Sequence, residues 1–287
     1  MSLLKNKILV PLDFSEQSLI ALEQSYNLAK IANAEIVLLY VMEEPTGLLK
    51  LFAKPTDEVR LFIEEKLEDL IEEKQAETGL QFEYLISKGK PYEKIIEVAE
   101  MIRAKMIIMG TKAGNSISKF IGSNTLRVVQ TAPCPVVTIR GKQHKKGCDI
   151  IVLPLDLSKE TTHKVDKAIE LAKYFNAEIR VLSILKTGNP EVVNKLTTQL
   201  KVIGNKIQKE GIKTVLNLIK IIDGEDTIGS TVVAYAEKIN ADLILIMTQQ
   251  ENDPKFLYIG SAAREIITQS KIPVMSVLPQ KLHEIKI

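Results

Sequence analysis

The chain contains no tryptophan, and only two cysteines and three histidines occur among its 287 residues. Two cysteines, Cys134 and Cys148, are too few for a disulfide framework, which points to a reducing compartment and hence to the cytoplasm. The histidines, His144, His163 and His283, have no metal-ligand spacing, so no metal site is expected. No apolar run approaches the length of a bilayer span, and no membrane association is expected. The opening MSLLKNKILVPLD has no cleavable small-residue site, so no signal peptide is expected either. A dominant sign of charge is also missing. Net charge is +2, with 18 basic and 19 acidic residues through position 143 and 20 and 17 after it. Neither half offers a basic arm for nucleic acid or anionic lipid.

What is present is a globular composition, 45% hydrophobic and 26% charged, and a repeat. The stretch ILVPLDFS from Ile8 returns as IVLPLDLS from Ile151, an offset of 143 that holds without a gap to Val41 and Ile184. Over those 34 positions 13 are identical. Further on, AKMIIMGT from Ala104 matches ADLILIMT from Ala241, and Ile121-Gly122-Ser123 matches Ile259-Gly260-Ser261. The offset there falls to 137 or 138, so the second copy is shorter in between. EEPTGLLKLFAKP shrinking to KTGNP is the expected place. A whole domain has been duplicated, giving units over 1–141 and 149–280 with a linker at 142–148.

Within the first unit strands and helices alternate. KILVPL reads as a strand, followed by an amphipathic helix from Ser15 through Ile31, and then AEIVLLYV as a second strand. A charged helix runs from about Thr56 to Glu77, with Leu67, Leu70 and Ile71 turned inward at helical spacing. FEYLIS is a third strand, and Pro91 opens the next helix, where its missing N–H costs nothing. KMIIMG is the fourth strand, and Ser123 opens a helix ending near Thr131. CPVVTIR is the fifth strand, with Cys134 a buried small hydrophobe at its start. Met106, Met109 and Met247 fall in strand runs and read as core. Apolar runs separated by helices indicate a parallel sheet covered on both faces. The expected fold class is α/β, with two tandem doubly wound, five-stranded domains of flavodoxin or Rossmann type.

Ligands of such sheets bind beyond the carboxyl ends of the strands, where the strand order reverses. Asp13, Val41 and the loop after the fourth strand should meet there. That loop, from Met109 to Thr125, reads MGTKAGNSISKFIGSNT. Glycines there would let main-chain N–H groups approach phosphate. They would equally permit a tight connection between strand and helix.

The VPLDFS start, the MGT strand ending and IGSNT followed by APCPVV resemble the universal stress protein family over essentially the whole chain, as two tandem units. The resemblance implies the parallel α/β fold and ATP, with Mg as its accompanying ion, held by a G-x-x-G, nine residues, G-S or G-T pattern. Carried onto this sequence, it implies nucleotide contacts from Pro11, Asp13, Val41, Met109, Gly110, Gly114, Gly122, Ser123 and Asn124. Asp13 would accept hydrogen bonds at the nucleoside end, the main chain near Val41 would touch the base, and Gly122 and Ser123 would offer N–H groups at a helix start. Lys112 and Lys119 would add charge.

The loop departs from the pattern. Ala113 stands where a glycine is wanted, or Gly114 serves with altered spacing; either way one residue is missing. In the second unit Asp156 and Gly260-Ser261 remain, but residues 247–259 contain no glycine, and Glu251 and Asp253 are acidic. That site is not expected to hold ATP. Three functions follow: a nucleotide-binding stress-response regulator with an unidentified protein partner, a scaffold without nucleotide, or a slow ATPase. The leading reading involves no enzymatic turnover, because no nucleophile is paired with a base and the pocket has one obvious carboxylate. The resemblance also implies a homodimer, or a pseudo-dimer within the chain in which 135–140 and 273–278 meet.

Overall fold

A computed structural model describes residues 6–43, 56–111, 123–141, 147–156, 161–186, 188–221, 226–248 and 259–277. The chain divides into two compact units, each an α/β domain.

The first unit runs β1 (Asn6–Pro11), α1 (Glu16–Ala32), β2 (Ala34–Met42), α2 (Thr56–Thr78), β3 (Phe82–Lys88), α3 (Pro91–Met101), β4 (Met106–Gly110), α4 (Ser123–Thr131) and β5 (Val136–Ile139). All pairings among these strands are parallel, in the order β3-β2-β1-β4-β5. Two successive connections step outward from β1 through β2 to β3, and the next returns past β1 to β4. Right-handed crossovers therefore put the later helices on the opposite face from α1 and α2. Coverage of both faces explains why consecutive residues Ile8, Leu9 and Val10 of β1 are all buried.

Local chemistry sets the helix ends. Ser15 caps α1 by accepting from the Ser18 N–H, and Asn33 closes it in the left-handed conformation, where asparagine is among the tolerated residues. Pro91 is at the first position of α3. On α2, Leu67 is fully buried and Ile63 nearly so, while Leu70 and Ile71 are half-buried. The inward stripe is thus centred one turn earlier than the pattern suggested. Met109 is buried, whereas Met106 and Met247 are half-buried.

The last strand is shorter than expected, beginning at Val136 rather than Cys134. Pro133 and Pro135 have no N–H to donate to a ladder, although the Pro135 carbonyl accepts from the Ile107 N–H at 3.0 Å. Cys134 lies in the bend before β5, half-buried, and burial pushes its thiol up to about 12.

The second unit repeats the plan with β6 (Ile150–Pro154), α5 (Thr161–Phe175), β7 (Glu178–Leu185), α6 (Pro190–Lys209), β8 (Thr214–Lys220), α7 (Ile228–Lys238), β9 (Leu243–Met247), α8 (Ser261–Gln269) and β10 (Val274–Val277). Its parallel order is β10-β9-β6-β7-β8. Two of its helices begin with side-chain caps: Asn189 accepts from the Glu191 N–H before α6, and Thr227 forms a capping box with Ser230 before α7. Among the described residues, no helix is long and apolar enough to cross a membrane.

Candidate functional site

Because every strand of the first sheet points the same way, the carboxyl ends share one edge. The strand order reverses at β1, between β2 on one side and β4 on the other. Pro11 ends β1. The register Leu9↔Ile107, continued two residues, brings Pro11 level with Met109, and Gly110 is the last residue of β4, paired with Ile139. Pro11 pairs with Leu39 of β2, so Val41 stands two residues, about 6–7 Å, farther along the edge. Sequence-predicted Pro11, Asp13, Val41, Met109 and Gly110 therefore gather at the carboxyl ends of three adjacent strands.

Asp13 is exposed and held by the turn into α1. Its Oδ1 accepts from the Ser15 N–H at 3.1 Å and also from the Ser15 hydroxyl. The Asp13 N–H in turn donates to Ser18 Oγ at 3.3 Å. These bonds orient an acceptor-only group at the mouth of the crevice. The turn requires φ 57° at Phe14, a left-handed conformation that bulky residues adopt rarely. The Phe14 ring lies 5.8 Å from the Tyr40 ring, with the Lys66 ammonium 5.6 Å above its centroid. Neither the strained residue nor its aromatic support is legible in the sequence, because nothing local in D-F-S demands a positive φ.

Gly110 has a packing explanation. A Cβ there would lie 2.3 Å from the Gln17 carbonyl oxygen and 2.8 Å from the Ser18 nitrogen. Only glycine lets the start of α1 approach β4 this closely. Beyond it the Thr111 N–H donates to the Ile139 carbonyl at 2.8 Å, extending the ladder. Gln17, which the sequence did not single out, is buried, and its Oε1 has no hydrogen-bond partner. A glutamine in the first turn of a helix carries no signal of burial; it is the close approach of α1 that covers it.

Ser123 opens α4, and Asn124 in its first turn is half-buried. Gly114 and Gly122, with Lys112, Ala113 and Lys119, lie outside the described residues. In the second unit Asp156 is again exposed after β6, but Met247 takes the place of Gly110. Lys164, standing where the first unit has Ala21, donates from Nζ to the Pro154 carbonyl at 3.1 Å. That puts an ammonium group against the carboxyl end of β6. Glu251 and Asp253 lie outside the described residues. Among the described residues, no group of three His, Cys, Asp or Glu side chains is arranged to hold a metal ion.

The sequence profile of the universal stress protein family matches residues 5–140 and again residues 148–277. The chain belongs to the universal stress protein family. Universal stress protein YxiE of Bacillus subtilis is 30% identical over 146 residues, covering 47% of this chain and 99% of that protein. A universal stress protein of Methanocaldococcus jannaschii is 32% identical over 142 residues, covering 48% of this chain and 83% of its own. Each single-domain relative thus spans about half of the tandem chain. Among solved structures, a universal stress protein from Archaeoglobus fulgidus superposes with a TM-score of 0.75 at 23% identity, covering 96% of this chain and 97% of that one. That likeness extends the shared fold across both units of this tandem universal stress protein.

Proposed function

We propose that this universal stress protein binds an adenine nucleotide, ATP, in its first unit as a regulatory ligand, and that the second unit does not. The units are 1–141 and 149–280, joined through 142–148. Pro11, Asp13, Val41 and Met109 would face the nucleoside, while Gly110, Gly114, Gly122, Ser123 and Asn124 would take the phosphates with Mg. The observation that carries this reading is the Asp13 carboxylate, exposed and oriented by Ser15 beside the reversal of strand order. A carboxylate repels phosphate and suits ribose hydroxyls or an exocyclic amine, which donate hydrogen bonds. Against binding in the second unit stand Met247 in place of Gly110 and the absence of any glycine from residues 247–259. Turnover is no part of this proposal, since Asp13 serves as a binding group. Bound nucleotide would act by biasing a surface that a partner protein reads.

A scaffold reading without nucleotide draws on one observation: Gly110 is required by its contact with Gln17, whatever binds nearby. A thermal-shift titration with ATP, ADP and AMP separates the two. A site filled to about 100 Kd stabilises its domain by roughly 2.7 kcal/mol. Wild type should shift with ATP, Asp13→Ala should lose the shift, and Asp156→Ala should keep it. Asp13→Asn, which retains an acceptor for Ser15, controls for damage to the turn. An unmoved wild type would leave the scaffold reading standing. Loss of hydrolysis in Asp13→Ala with binding intact would instead mark an ATPase.

A further inference from the structure

We propose that α2 of one copy of this protein docks against α6 of another, through apolar centres rimmed by opposite charge. The two helices descend from the same element of the duplicated unit, each following the second strand and preceding the third. Their charges have since diverged in opposite directions. Over Thr56–Thr78, α2 carries nine acidic residues and three basic ones, a net of −6. Over Pro190–Lys209, α6 carries one acidic residue and four lysines, a net of +3. A chain of net charge +2 has thus segregated its signs onto two surface helices.

Each helix also exposes apolar side chains amid its charges. On α2, Leu61 is 65% exposed and Phe62 54%. Leu61, Glu65, Glu68 and Glu72 follow the three- and four-residue spacing that lines one face of a helix, and all four are exposed. On α6, Val202 is 65% exposed, flanked on the same face by exposed Lys195 and Lys209. Beside the α2 stripe, α2 and β3 bound an open groove of about 620 Å³ lined by Glu68, Ile71, Glu72 and Gln75. Its apolar floor and acidic rim fit a lysine, whose aliphatic stem packs while its ammonium stays with carboxylates.

The charges also choose between possible partners. Docking α2 on α2 would juxtapose two strongly acidic helices, which costs association. The α2–α6 pairing joins unlike signs. Because it uses two different patches, it is head-to-tail, and one chain offers both halves of the contact. The inference does not depend on the nucleotide reading, and its test is run without nucleotide.

Sedimentation velocity of the full chain at several concentrations and two ionic strengths provides the test. Wild type should associate at low salt and return to the 32.1 kDa monomer as salt screens the contact. The α2 variant Glu65→Lys/Glu72→Lys should associate at least roughly tenfold more weakly, and the α6 variant Lys195→Glu/Lys209→Glu should do the same. Combining all four substitutions in one chain should recover part of the association lost in either double variant, because unlike charges face each other again at the four exchanged positions. An equimolar mixture of the two double variants should also associate, since α2 of each variant meets α6 of the other with unlike charges at the exchanged positions. The proposal fails if wild type is monomeric throughout the series. It fails equally if association survives either double reversal, or if the combined variant recovers none of it. Circular dichroism of each variant checks that the fold is intact.

Discussion

At the scale of single residues, two side chains and one missing side chain define the carboxyl edge of the first sheet. Asp13 is oriented by Ser15, Phe14 takes a strained conformation to allow it, and Gly110 admits α1 against β4. Gly110→Ala forces its new methyl into the Gln17 carbonyl, main-chain atoms that cannot swing aside. The expected loss is about 1–3 kcal/mol, read from urea unfolding monitored by far-ultraviolet circular dichroism; an unchanged midpoint would refute the packing argument. Cys134 supplies a pH dependence. In the folded chain burial holds its thiol neutral up to about 12, against an ordinary value of 9.0. The unfolded chain therefore releases this proton first as pH rises. The stability contributed by the buried neutral thiol is complete below pH 9 and is lost progressively between 9 and 12. Wild type minus Cys134→Ala should show that decline from pH 9 upward, and the native thiol should react slowly with a disulfide reagent at pH 8.

At the scale of elements, α2 shows how tertiary contact sorts a repeating pattern. Leu67, Leu70 and Ile71 are equivalent in the sequence as inward candidates, yet only Leu67 is fully buried. Leu67→Ala should cost about 2–5 kcal/mol, and Leu70→Ala distinctly less, measured as shifts in the urea midpoint. Equal effects would mean that the helix packs differently. Helix starts were legible because their signals are local: Ser15 before α1 and Pro91 at α3 each act within one turn. The start of β5 was less legible. An apolar run beginning at Cys134 looks continuous, but a ladder needs donors at the right places, and the flanking prolines provide none.

At the scale of the whole molecule, duplication has produced two units with one fold and different edges. The first presents Asp13 beside Gly110; the second presents Asp156 with Met247 and Lys164. Hydrogen exchange should detect that difference. Saturating ATP should slow exchange around residues 12–18 and 107–111 and leave the corresponding segments after β6 and at the end of β9 unchanged. Equal protection of both would overturn the asymmetry.

The sequence by itself determined the duplication, the alternation of elements, the parallel sheets and the meeting of Asp13 with the fourth strand. These rest on patterns that repeat every two or three to four residues, on caps acting within a turn, and on topological rules that leave few alternatives. The tertiary structure alone decided that Phe14 is strained, that Gln17 is buried with its Oε1 unpaired, and that Gly110 is fixed by a neighbouring helix. It also decided which of the α2 leucines is core and that Lys164 reaches a strand end. Each of those depends on the distance between segments remote in sequence, and a distance of that kind is set only when the helices close onto the sheet.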